Sequence, residues 1–338
     1  ASERRSTGMK IVWPLVGVGG LGLLAFLGGS ETGLRPLLAV AVPYVAVLIF
    51  LTGVVARVVI WGRSPVPFRI PTSCGQQRSL PWIKTARFDN PSTGWAAAGR
   101  MAMEVLLFRS LFRNVRSEAR RDGKVVHFTT KYLWAGALAF HVSLLLILIR
   151  HFRYFAEPVP GFVGSLQSID GFFQIGLPIV YVTDAVLVAA VAFLLLRRLV
   201  DPRLRYLSIF GDYFPVFLIL AIAGSGIALR YFFRVDVVAV KEMMMGLVTF
   251  RPVNPEGIHP FFFVHLLLVC VLVAYFPFSK LIHMAGIFLS PTRNLANNNR
   301  RRRHVNPWNP AITGHTYARW EEEFEDKLRA AEIPLDRE

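Results

Sequence analysis

Charge is scarce in this chain and cysteine scarcer still. Only 18% of the 338 residues are Asp, Glu, Lys or Arg, where a soluble domain carries about a quarter. The two cysteines, Cys74 and Cys270, stand far apart. They exclude a CxxC pair, a four-cysteine zinc site and a disulfide scaffold, and leave no Fe–S cluster for this chain to hold alone. Acids are fewer than bases, 22 against 38, for a net charge of +16. Such an excess can serve nucleic acid, but in a membrane protein it collects in loops on one side of the bilayer, and no nucleic-acid partner is expected. Hydrophobic residues make up 54%, too much apolar surface for one aqueous core, which rules out a soluble enzyme and a disordered chain.

What remains is a set of long runs with little or no charge. They lie between Lys10 and Glu31, Arg35 and Arg57, Lys131 and Arg150, Asp170 and Arg197, Asp212 and Arg230, and Glu256 and Lys280. The fourth holds one acid, Asp184. Crossing the hydrocarbon takes roughly 20 helical residues, so each run is read as a span. The first, Gly-rich and without an A-x-A site, reads as a retained helix and not a signal peptide. The expected fold is an all-α, six-helix transmembrane bundle. Residues 1–61 form two N-terminal helices, 62–131 a loop, 132–288 a four-helix domain and 289–338 a tail.

Loop charge sets the orientation. The stretch from Arg63 to Lys131 has 13 Lys/Arg against Asp89, Glu104, Glu118 and Asp122. Arg197, Arg198, Arg203 and Arg205 face only Asp201, and Arg4, Arg5 and Lys10 face Glu3. The alternate loops are nearly neutral. Basic loops stay cytoplasmic, which puts both termini inside, as an even number of spans requires. The site is then a prokaryotic cytoplasmic (inner) membrane, crossed several times. Within the long loop, Gly94 to Val115 carries Met103, Leu106, Leu107 and Leu111 among Arg100, Arg109 and Arg113, an amphipathic helix on the membrane surface or against a partner. The loop and the tail from Pro291 to Pro310 are expected to form one docking surface, with Trp82 and Trp308 as anchors and anionic lipid as the competing use of its charge. Cys74 reads as structural.

Polar groups at membrane depth are costly and usually functional. His141 and His151 lie in the third run, His265 and His283 in the sixth. Imidazole is a common axial ligand of haem iron. Antiparallel helices level-match His141 with His283 and His151 with His265, giving two bis-histidine haem b groups stacked across the membrane. The spacings are imperfect. Along straight helices the first two histidines differ by roughly 15 Å in height and the second two by roughly 27 Å. A bend at Pro277 could absorb the mismatch. His127, His304 and His315 fall in cytoplasmic segments, and His259 at an interface. Gly224, Ser225 and Gly226 suit close approach of a macrocycle or ordinary helix packing. Arg150, Arg153 and Arg230 are candidates for haem propionates. Together with Tyr154 they mark a candidate quinone site beside His151. Asp184 serves as a proton relay or accepts a hydrogen bond from a neighbouring helix, the second being favoured.

With histidines so placed, the region from Tyr132 to Phe288 resembles the nitrate reductase gamma subunit family of dihaem cytochromes b. The strings FRIPTSCGQQRSLPWIK, GRMAMEVLLFRSLFRN, PFSKLIHMAGIFLSPTRN and RRRRHVNPWN further resemble the DsrM family, membrane subunits of DsrMKJOP complexes of dissimilatory sulfur metabolism. That resemblance implies two haem b, exchange with quinone (menaquinone), a DsrK-like cytoplasmic Fe–S partner and the other DsrMKJOP subunits. It implies an electron-transfer subunit of a quinol-linked oxidoreductase complex. Two departures stand out. Arg150 occupies the place of the glycine that the gamma subunit family sets before its periplasmic haem ligand, and the family's quinone-site lysine has no counterpart. The alternative reading is a transporter or a membrane anchor that uses its buried His and Asp without haem, though no inverted repeat supports transport.

Overall fold

The computed structural model describes residues 2–31, 33–64, 77–119, 122–173, 178–233, 235–253, 257–298, 300 and 314–336. Cys74 and Trp308 lie outside the described residues. The chain is mostly helical. α1 (Ser2–Ser30) is followed by a π turn (Leu37–Ala41) that feeds α2 (Val42–Gly62). The loop contributes α3 (Gly94–Leu107), a short α4 (Arg109–Arg113) and a hairpin of β1 (Val115–Ala119) and β2 (Val125–Thr129). α5 (Lys131–His151) then crosses back, followed by α6 (Gly161–Asp170) and a second hairpin, β3 (Gly171–Phe173) with β4 (Val180–Tyr181). α7 (Val182–Val200), α8 (Pro202–Leu207), α9 (Phe210–Tyr231), α10 (Val237–Val248) and α11 (Pro260–Tyr275) complete the bundle. α12 (His283–Gly286), α13 (Pro291–Asn294) and α14 (Tyr317–Ala330) follow.

Five helical segments among the described residues are long and apolar enough to cross a membrane: Gly8–Ser30, Leu37–Gly62, Lys131–Tyr154, Phe210–Tyr231 and Pro260–Phe278. The expected fourth span is shorter than its charge-free run. Helix begins only at Val182, because the run opens with the β3–β4 hairpin, whose register pairs Gly171 with Tyr181. A charge-free run cannot by itself distinguish a buried hairpin from a helix. α7 keeps 19 residues and carries Asp184, Arg197 and Arg198, so Asp184 sits in its first turn and not mid-span. The expected amphipathic helix is also divided, with α3 and α4 separated at Phe108 and Val115 already in strand.

Helices pack in the order α5, α7, α9, α11, α2, with α1 laid against both α9 and α11. Val18 and Ala25 of α1 share a core with Leu218 of α9 and Val264 and Leu268 of α11. Small residues permit the closest approaches, as between membrane helices generally. A Cβ on Gly136 would stand 2.6 Å from the Phe193 ring, and one on Gly29 would stand 2.7 Å from that of Phe263. α5 and α11 are not tightly packed neighbours.

The sixth run does not continue as one helix. α11 ends at Tyr275, and two 3-10 turns, Phe276–Phe278 and Lys280–Ile282, lead to His283. Pro277 lacks an N–H for the ladder and is fully buried at the break. Lys280 Nζ reaches Asp212 Oδ1 at the start of α9, 2.7 Å away, and fixes the turn. A Cβ on Gly53 of α2 would lie 2.7 Å from Cγ of Pro277. Gly53→Ala is therefore expected to cost about 1–3 kcal/mol by overpacking, read as a lower thermal midpoint in detergent. Gly62→Ala, with nothing within 4 Å of the added carbon, should leave the midpoint nearly unchanged.

Candidate functional site

The broken sixth run and α5 bring the four histidines together in two pairs. The His141 and His283 rings have centroids 6.0 Å apart with planes at 86°, and those of His151 and His265 are 6.5 Å apart with planes at 17°. Each pair spans the interval between α5 and the α11 segment, where the backbones are not in close contact. The pairing is the one that antiparallel order gives. The break at Pro277 removes the height mismatch of two straight helices.

In every ring Nδ1 is engaged by an oxygen. His141 Nδ1 meets the Ala137 carbonyl at 2.7 Å, His151 the Ile147 carbonyl at 2.7 Å and His283 the Lys280 carbonyl at 2.9 Å. A carbonyl only accepts, so these three Nδ1 atoms carry the proton. His265 Nδ1 lies 2.9 Å from Ser225 Oγ, which donates its own proton to the Ile222 carbonyl at 3.0 Å. So engaged, Ser225 Oγ is placed to accept from His265 Nδ1. A ring that donates from Nδ1 presents, in its neutral form, an unprotonated Nε2, the state a metal ligand needs, and the oxygen at Nδ1 is the kind of partner that usually orients such a ligand.

The spacing fits an axial pair as well. Facing imidazoles at 6.0 and 6.5 Å would hold a haem iron between them, one from each side of the interval. Among the described residues no three His, Cys, Asp or Glu side chains converge on one point, so the donor set is two pairs of imidazoles and not a protein-only cage. Gly226 faces His265, where a Cβ would come within 3.2 Å of Cε1. Gly224 has open space instead. Paired imidazoles are the donor set that haem ligation asks for.

Beside His151 the expected arginine cluster separates into different roles. Arg150 is buried, with Nη2 2.5 Å from Asp184 Oδ1 and Nε 3.2 Å from Asp170 Oδ2. Its guanidinium lies 3.8 Å from the Tyr181 ring centroid. Asp170 also caps α7, accepting from Thr183 N at 2.9 Å and Thr183 Oγ1 at 2.6 Å. Asp184 thus takes the role of acceptor from a neighbouring helix. Arg230 donates to the Ile179 carbonyl at 2.9 and 3.1 Å and covers the other approach to Tyr181 at 4.3 Å. Arg153 lies near the Tyr154 ring, 5.8 Å from its centroid. Tyr154 is 5.9 Å from the His151 ring and packs against the core that joins α10, α11 and the π turn.

Several functional neighbours escape a reading of the sequence. Ser225 emerges as a hydrogen-bonding partner, beyond a small packing residue. Asp170 and Tyr181 complete the Arg150 site from a segment read as span. Phe108 stands 4.9 Å from His141 and belongs to the loop. His259 caps α11 through Phe261 N at 3.2 Å, and Cys270 is free and buried in the core. Trp82 is 76% exposed.

Removing Arg150 would strand the buried carboxylate of Asp170 and the partly buried one of Asp184. Breaking a buried pair by deleting one partner costs about 3–5 kcal/mol, and Arg150→Ala should show that loss in a detergent unfolding curve. Arg150→Met combined with Asp184→Asn should recover part of it.

Residues 94–300 match the family described as nitrate reductase gamma subunit. A protein of Archaeoglobus fulgidus named Hdr-like menaquinol oxidoreductase cytochrome b-like subunit is 49% identical over 279 residues, covering 80% of this chain and 83% of its own length. A protein of the same name from Archaeoglobus profundus is 42% identical over 277 residues, covering 80% and 82%. The five apolar helices and these matches mark a multi-pass membrane protein, and the chain belongs to the nitrate reductase gamma subunit family.

Proposed function

We propose that this chain is the membrane cytochrome b subunit of a quinol-linked electron-transfer complex, with one haem b held by His141 and His283 and a second by His151 and His265. The observation that carries the reading is the pair of imidazole couples at 6.0 and 6.5 Å, each ring with Nδ1 hydrogen-bonded and Nε2 free to ligate. Bound haem supplies one-electron transfer, and axial ligation, burial and the second shell tune it. α7 serves as the fourth of six spans despite its charged ends, since 19 residues rise roughly 28 Å. The basic loops then place both termini and the His141–His283 level at the cytoplasmic face.

The relatives are named for menaquinol, and a menaquinol site near His151 suits this chain. Arg150 is neutralised by Asp170 and Asp184, so propionate pairing falls to Arg153 and Arg230. Tyr154 is the best-placed side chain toward the quinol itself. Its ring lies against apolar side chains close to His151, and its hydroxyl is the polar group on that apolar slot. Quinol oxidation releases two electrons and two protons. A hydroxyl that accepts from the quinol orients it, and the two protons leave to water on that face. On the opposite face, the loop and tail dock a cytoplasmic Fe–S subunit. The resemblance to the DsrM family makes that partner DsrK-like and the setting dissimilatory sulfur metabolism.

Pyridine haemochrome assay of the purified chain should give two haem b per polypeptide. His141→Ala and His283→Ala should each leave one haem with the same spectrum, and His151→Ala and His265→Ala the other. A chain without haem b would end the proposal. Tyr154→Phe should keep both haems and slow their reduction by a menaquinol analogue roughly tenfold or more, the scale of a lost hydrogen bond of about 1.4 kcal/mol. An unchanged rate would move the quinone site elsewhere.

A further inference from the structure

Phe108 stands apart from the other loop residues. It separates α3 from α4 with φ 50° and ψ 45°, the left-handed region that a bulky aromatic residue seldom occupies. A strained backbone of this kind persists only where its surroundings over-determine it. Here the surroundings are specific. Glu104, 5% exposed, turns its carboxylate to the start of α4, accepting from Ser110 N at 3.0 Å and from the Ser110 hydroxyl. Arg109 Nη2 reaches both oxygens of Asp89 at 3.0 Å, and Arg113 binds the same carboxylate. Arg100, also buried, donates to the Asp89 carbonyl at 2.7 Å. Burial alone would raise the Asp89 carboxyl, but Arg113 and Arg109 outweigh it and hold the group below the ordinary carboxylate range.

The kink is also tied to α5 and to the tail. Trp134 Nε1 donates to the Leu107 carbonyl at 2.7 Å, and Thr130 Oγ1 to those of Leu111 and Asn114 at 3.0 and 2.9 Å. Asn297 joins the tail to the loop through Pro91 O at 2.6 Å and Asn90 Oδ1 at 2.5 Å. The ring that this framework holds meets His141 at a centroid distance of 4.9 Å and an angle of 78°. Phe140 meets the same imidazole at 4.9 Å and 81°, while Ala137 O fixes Nδ1. Two edge contacts and a hydrogen bond restrict rotation of this imidazole about its bond to Cβ.

We infer that Phe108 is a positioning residue for His141: the left-handed kink presses its ring on the imidazole, so that the loop, and not α5 alone, sets the plane of this ligand. Ligand orientation by outer groups is a recognised means of tuning a metal centre. The inference rests on the ligation proposed above.

The test uses the full chain purified in detergent with its haem. Two low-spin ferric signals are expected by electron paramagnetic resonance, one of them lost in His283→Ala. Phe108→Ala should retain two haems by pyridine haemochrome assay and shift the g values and midpoint potential of that one signal. Phe108→Tyr, which keeps the ring, should restore the wild-type values. Ser110→Ala loosens the kink without touching the ring; it should give a smaller shift of the same signal and decides the matter if Phe108→Ala does not fold. Unchanged signals in these variants, or equal shifts in both signals, would overturn positioning by Phe108 and leave the ligand assignment standing. Absence of haem b from the wild-type chain would overturn the assignment, and this inference with it.

Discussion

An imidazole has two nitrogens and, when neutral, one proton, so whatever binds the proton decides which nitrogen can ligate. In this fold the decision is made four times, and each time by an oxygen at Nδ1. Three of the oxygens are helix carbonyls three or four residues earlier, at Ala137, Ile147 and Lys280. The fourth, Ser225, comes from α9 and is itself oriented by Ile222. The proposed ligation depends on these bonds, since a ring held in the other tautomer would direct N–H where a ligand needs a lone pair.

Helix packing supplies the second requirement, an interval that only side chains cross. α7 and α9 stand between α5 and α11 in the packing order, which keeps the two ligand-bearing backbones from closing on each other. A straight sixth helix would still fail, because its histidines are too far apart along the axis. The break at Pro277, seated against Gly53 and tethered through Lys280 to Asp212, shortens that distance without losing the level of His265.

Much of this was legible in the sequence, for identifiable reasons. Intramembrane histidines are conspicuous because polar groups there are costly, and antiparallel order alone pairs His141 with His283 and His151 with His265. Pro277 announces its break because it lacks an amide proton. The hairpin before α7 was not legible, since Gly171 to Tyr181 is as free of charge as a helix would be. Nor was the commitment of Arg150 to Asp170, because an ion pair between residues twenty apart leaves no periodic trace. The kink at Phe108 was hidden as well. Nothing in FRSLFRN favours a left-handed residue over a continued helix, and only the tertiary contacts of Glu104, Asp89 and the two arginines select it.

The stretch shared with the gamma subunit family, residues 94–300, leaves α1 and α2 outside it. Yet Gly29 of α1 abuts Phe263, a neighbour of His265, and Gly53 of α2 abuts the proline that sets up His283. The border of the family match therefore runs through a packed core. The two leading helices are walls of the histidine-bearing bundle and not an appendage, since they seat the residues that flank both histidines of the sixth run.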